Sequence, residues 1–188
     1  MPGAYYVGAG KFILKEKIME HLVQSAIDFL NNLGLSAEGV VFFISMLPLL
    51  ELRGGILAAS FLQVDPIRAA LICLVGNIIP IPFILLFITP IFDKLKKTKL
   101  FKPIVEKLEA RAMGKSDQIQ KYEFVGLLLF VGIPLPGTGA WTGALIAALL
   151  DIKLKKAVPA IFLGILLALA IMSFIGYGIP YIISSFGK

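Results

Sequence analysis

The chain has 188 residues, of which 58% are hydrophobic and only 16% charged, with a mean hydropathy of +0.90. A soluble domain is about half apolar and about a quarter charged, so this composition excludes a water-soluble globular protein and points to an all-α integral membrane protein. The formal charge of +6 sits between apolar runs, as in cytoplasmic membrane loops, and no nucleic-acid-binding motif accompanies it.

Residues 1–10 are small and glycine-rich and lack the basic start and apolar centre of a signal peptide. Residues 11–33 carry Phe12, Leu14, Ile18, Leu22, Ala26, Phe29 and Leu33 at helical spacing. They predict an amphipathic helix lying in the membrane interface, so residues 1–39 form an N-terminal tail with one interfacial helix.

Residues 40–64 are apolar but interrupted by Pro48, Glu51, Arg53, Gly54 and Gly55. Residues 67–92 predict a transmembrane helix holding Asn77 and Pro80. Residues 93–123 hold nine basic side chains, and Leu100, Ile104, Leu108 and Ala112 recur on one face, which predicts a second interfacial helix. Residues 124–150 are broken by Pro134, Pro136, Gly137 and Gly139, and 157–183 predict another transmembrane helix. A shift of 86 places lays Pro48 on Pro134, Ala58 on Ala144 and Asp65 on Asp151. Residues 40–92 and 124–183 are therefore read as two repeats, an arrangement common in transporters.

Each broken stretch is long enough to span a bilayer, for which about 20 residues suffice. The alternative is a re-entrant hairpin of two half-helices, and charge favours it. With 93–123 in the cytoplasm, a spanning 124–150 would put Lys153, Lys155 and Lys156 outside, whereas a re-entrant one keeps 151–156 cytoplasmic, as the positive-inside rule prefers. Residues 1–39, with three lysines against four acids, carry no inward bias. The expected architecture is thus an inverted repeat in a cell (inner) membrane. Each unit is one re-entrant hairpin (40–64, 124–150) plus one transmembrane helix.

Glu51 and Arg53 are the charges at the first break. An ionisable group at membrane depth costs about 2.5–3.5 kcal/mol on the insertion scale, so both need partners. One reading has Glu51 taking up and releasing a proton or cation while Arg53 holds an anionic group. The other is a structural ion pair fastening the hairpins. Gly54 and Gly55 are expected to turn the chain back and to allow close approach of another backbone or a ligand. At the second break, Pro134 and Pro136 end the incoming half-helix. Gly137 and Gly139 free the backbone, and Thr138 is expected to cap the outgoing half-helix. Two half-helix N-termini would then offer bare N–H groups to an anion, with Trp141 and Thr142 as lining candidates. Gly143, Ala144 and Ala147 suit close helix contact. Asn77 offers either cation-coordinating carbonyls or a satisfied kink. Asp65 and Asp151 read as interfacial caps.

Cys73 and His21 are the sole cysteine and histidine, so no metal cluster or His-paired nucleophile can be assembled. No cofactor motif is present, and an enzyme is not expected.

The segments Pro48-Leu-Leu-Glu-Leu-Arg-Gly-Gly-Ile56, Gly76-Asn77 before a proline, and Ile133-Pro-Leu-Pro-Gly-Thr-Gly-Ala-Trp-Thr-Gly143 resemble the small multidrug export protein family, a distant relative of the DedA/VTT membrane proteins. The resemblance covers about residues 40–175. It implies inverted repeats with paired re-entrant hairpins and marks Glu51, Arg53, Gly54, Asn77, Pro134, Pro136, Gly137, Thr138 and Gly139. The arginine typical of the second DedA hairpin is missing from residues 137–143. The expected function is a small transporter, proton-coupled through Glu51. It would move an anionic or amphiphilic molecule through a site formed by the two tips. A lipid or lipid-phosphate flippase and a non-transporting assembly protein are the alternatives. The expected partners are the lipid bilayer, a small-molecule or lipid substrate, a coupling proton and further copies of the chain.

Overall fold

The computed structural model describes residues 3–99, 101–113, 123–135 and 137–186. They are helical, with no strand among them. In chain order the helices are α1 (Gly3–Asn32), α2 (Ala37–Met46), α3 (Glu51–Phe61), α4 (Pro66–Ile78), α5 (Pro80–Lys96), α6 (Lys102–Met113), α7 (Glu123–Gly132), α8 (Ala140–Leu149), α9 (Leu154–Ser173) and α10 (Ile179–Phe186), with a π-helical turn, Phe174–Gly178, between the last two.

Local chemistry sets these boundaries. Ser36 caps α2 by accepting from the Gly39 N–H at 3.2 Å. Pro48 then pushes Leu47 into extended backbone (ψ 135°) and stops the helix. Asp65 caps α4 through the Ile67 and Arg68 N–H groups, with Pro66 at the first helical position. Pro80, which has no N–H, interrupts the hydrogen-bond ladder between α4 and α5. Ile79 nevertheless keeps helical dihedrals, so the path continues. The π turn precedes Pro180, where another donor is missing.

Both broken stretches are broken in the structure as well, and neither is one continuous helix. Helix α2 packs against α3 and α4, and α7 packs against α9 and α8. The two halves interlock because α5 packs on α8 while α9 packs on α3 and α4. Helix α1 begins at Gly3, earlier than expected, and lies on α2 and α3, with Val23 and Ile27 buried.

The two units share individual contacts. A Cβ on Gly76 would stand 2.8 Å from the Phe42 carbonyl and 3.0 Å from Ser45 Cβ. A Cβ on Gly164 would stand 2.8 Å from the Leu128 carbonyl and 2.7 Å from Val131 Cβ. Helices α3 and α8 end in the same way. Gln63 and Asp151 take positive φ (54° and 51°), and the Val64 and Ile152 N–H groups reach back to the Ala59 and Ala147 carbonyls, both at 2.9 Å. The equivalence is 86 places before the breaks and 88 after them, because the second break is two residues longer. Asp65 therefore corresponds to Lys153, the N-cap position of α9. Asp151, expected as a cap, instead occupies the left-handed turn position.

Pro66–Lys96 and Leu154–Ser185 are long and apolar enough to cross a membrane, and only about a third of the most apolar 18 residues of each is buried. Ile67, Leu71 and Phe83 are 59–72% exposed, which water would penalise and lipid accepts. On α6, Val105 is buried and Ile104 exposed. The packed side is thus rotated one residue from the expected face, where α6 meets α5 and α8. Leu100 and residues 114–122 lie outside the described residues, as do the side chains of Leu108 and Ala112.

Candidate functional site

The first break turns at residues 47–51, ahead of the glycines expected to turn it. The Leu50 and Glu51 N–H groups both donate to the Leu47 carbonyl, at 3.2 and 2.8 Å. Glu51 then takes φ +51° as the first residue of α3. A left-handed residue with a side chain costs about 1–2 kcal/mol, and such strain persists only where the surroundings enforce it. The enforcing contact is on the other helix pair. The buried Glu51 carboxylate, 5% exposed, accepts the N–H groups of Ala140 at 3.0 Å and Trp141 at 3.1 Å.

Those amides open α8. Its N-cap is Gly139 rather than Thr138 and has no side chain to offer, so the cap comes from Glu51, 89 residues earlier in the chain. Gly139 adopts φ +128°, and a Cβ there would stand 2.8 Å from the Glu51 carboxylate carbon. Only glycine fits both the backbone and the space.

Arg53, half-buried, makes the complementary contacts. It donates to the Leu135 carbonyl at 2.7 Å, the Ile133 carbonyl at 3.2 Å and Thr138 Oγ1 at 2.9 Å. Thr138 in turn donates to the Leu135 and Ile133 carbonyls, at 2.8 and 3.1 Å. The same carbonyls also accept main-chain N–H groups of their own turn, Ile133 from Leu135 at 2.8 Å and Leu135 from Thr138 at 3.1 Å, so the guanidinium adds a further donor to each. The carboxylate thus sits at the positive end of α8 and the guanidinium on carbonyls just beyond the negative end of α7, both favourable with the helix dipoles. Arg53 also supplies the opposite charge acting on Glu51. Charge-assisted hydrogen bonds contribute about 1.5–3 kcal/mol each, enough for five of them to offset two charges at membrane depth.

The other expected site residues fall around this clasp. Pro48 ends α2, and Pro134 follows α7 with Gly137 in the turn at φ +77°. Pro136 lies outside the described residues. Gly54 and Gly55 lie within α3. A Cβ on Gly55 would stand 2.8 Å from Cys73 Sγ, so its role is close packing rather than turning. Thr142 is half-buried in the first turn of α8. Asn77 is buried in α4 with Oδ1 unpaired, and no contact places it in the clasp. Gly143 packs on Val131, and Ala144 and Ala147 are fully buried.

Three participants had no sequence signal, because they act through the main chain: the carbonyls of Ile133 and Leu135 and the amide of Ala140. Two further ties hold α3 in place. Ser60 donates to the Gly176 carbonyl and Tyr177 to the Val64 carbonyl, both at 3.0 Å. Among the described residues, no group of His, Cys, Asp and Glu could hold a metal ion.

Residues 51–171, about two thirds of the chain, match the family described as Putative small multi-drug export protein. The chain belongs to this family. It is a membrane protein of a transport family. The matched region begins at Glu51, the last residue of the first break, and contains the whole of the second. No curated protein and no solved structure matches the chain.

Proposed function

We propose that the protein is a proton-coupled transporter of an anionic or amphiphilic small molecule, working through two re-entrant hairpin tips that meet near the bilayer midplane. Helices α2, α3, α7 and α8 hold 10 or 11 residues each. At 1.5 Å per residue each is about 15 Å long, half of a hydrocarbon core about 30 Å thick. That length, and the paired contacts of Gly76 and Gly164, support an inverted repeat.

The observation that carries the reading is the Glu51 carboxylate seated on the Ala140 and Trp141 amides beside Arg53. In its charged form Glu51 fills an anion seat from within the chain. Protonation removes the charge and weakens its hold on the amides. A substrate anion can then take those amides and the guanidinium, so that proton and anion move together. The groups facing Glu51 are Arg53 and the first turn of α8. The test is purified protein in vesicles with an imposed pH gradient. Anion flux should follow the gradient, and Glu51→Gln should abolish that dependence. Flux that ignores the gradient in the parent protein overturns the reading.

A second reading has an observation of its own. The hydrogen bonds of Glu51 and Arg53 join one tip to the other, as a purely structural fastener would. Glu51→Gln that lowers thermal stability in detergent and leaves gradient-driven flux intact selects that reading.

A further inference from the structure

A cavity of about 390 Å³ adjoins the clasp. Its walls include Met46 at the end of α2, Pro80, Phe83, Ile84 and Ile88 on α5, and Trp141 on α8. The walls are almost wholly apolar, and the cavity is an open groove rather than an enclosed chamber. The volume lies in the range of small-molecule sites, which combine an apolar lining with a few polar groups.

Trp141 belongs to both places. Its backbone N–H holds Glu51 at 3.1 Å, and its side chain lines the cavity. Its indole Nε1–H is buried without a partner, at a cost of about 1–3 kcal/mol. The seat for a negative charge and the seat for an apolar body are therefore separated by a single residue. Nε1 is covered in this structure, so a headgroup oxygen would pair it only after the indole shifts.

From this we infer that the substrate is a single-tailed amphiphilic anion. Its acidic head exchanges with Glu51 at the α8 amides and Arg53, and its apolar tail lies along α5 against Trp141. The inference rests on the tips being the transport site, and it adds the class of substrate and the residues that select it. A short hydrophilic anion would meet the same amides and leave the cavity unfilled. Because the groove is open, a tail can enter it without the tips parting.

Trp141 is the only tryptophan, so its fluorescence reads the cavity alone. The probe is a terminally brominated undecanoate added to protein in phosphatidylcholine vesicles. Quenching should saturate. Decanoate should compete, and acetate and decanol should not. Ile88→Phe, which fills the cavity, should weaken apparent affinity about tenfold, or 1.4 kcal/mol, and Arg53→Lys should weaken it similarly. If Arg53→Lys fails to fold, Ile88→Phe alone decides the point. Non-saturating quenching, matched by brominated phospholipid, means that the cavity holds bilayer tails only and overturns the inference. Equal competition by decanol overturns the anionic head. Acetate flux under a pH gradient without saturable quenching overturns this inference and leaves the transport reading standing. Saturable carboxylate binding without gradient-driven flux upholds the cavity and overturns transport.

Discussion

Gly139→Ala probes the clasp from the side that Glu51 does not control. The backbone there, φ +128° and ψ −178°, lies in a region open essentially to glycine alone, and forcing another residue into it costs about 1–3 kcal/mol. The new methyl would also stand 2.8 Å from the Glu51 carboxylate carbon, so the carboxylate must leave. Two charge-assisted hydrogen bonds, about 1.5–3 kcal/mol each, go with it. The ceiling is therefore about 4–9 kcal/mol, comparable to the whole stability of a small domain. The informative assay is a double-mutant cycle with Glu51→Gln, following unfolding in mixed detergent micelles by Trp141 fluorescence. Glutamine has already lost the charge, so Gly139→Ala should cost less in that background, with a coupling of at least about 1.5 kcal/mol, the value of one such bond. Additivity within about 0.5 kcal/mol, as expected for independent sites, would show that the methyl does not act through the carboxylate and would refute the reasoning.

Arg53→Lys should destabilise by about 1.5–3 kcal/mol, since one ammonium cannot reproduce a planar fork reaching Leu135, Ile133 and Thr138; thermal unfolding in detergent measures this. Gly76→Ala and Gly164→Ala should each cost about 1–3 kcal/mol by overpacking, and by similar amounts, because each methyl meets a carbonyl at 2.8 Å in its own unit. Unequal losses differing by more than about 2 kcal/mol would argue against equivalent units. Glu51→Gln should bind acid substrates while losing the response of flux to an imposed pH gradient, read in vesicles by an entrapped pH dye.

The apolar runs and their breaks were legible in the sequence because charge at depth, or proline clustered with glycine, is costly inside a span, whereas the single Pro90 and Pro159 are carried within their helices. The shift of 86 found the repeat through Pro48 and Pro134 but misaligned Asp65 with Asp151. Two residues inserted in a turn leave no trace in composition and become visible only in the paired helix ends at Gln63 and Asp151. Glu51 and Arg53 were legible as costly charges. Their partners were not, since the Ala140 amide and the Leu135 carbonyl belong to the main chain, which every sequence shares. Thr138 was read as a local cap because threonine favours that position, yet a carboxylate from the other helix pair outcompetes it and the hydroxyl turns to the Ile133 and Leu135 carbonyls. Gly54 and Gly55 were read as serving a turn and a close approach; they lie within α3 rather than in the turn, with the side chains of Leu50, Ser45 and Cys73 close against them.

The most direct test is which faces of the membrane the ends of each helix pair reach. Cysteines placed singly at Gly34, Gln63, Lys99 and Lys155, in a chain with Cys73 replaced by alanine, can be labelled in intact cells by a membrane-impermeant maleimide. If both helix pairs turn back within the bilayer, positions 34 and 63 react together from outside, and positions 99 and 155 react only after permeabilisation. Labelling that puts 34 and 63 on opposite faces, or 99 and 155 on opposite faces, would mean that a broken stretch crosses the membrane after all.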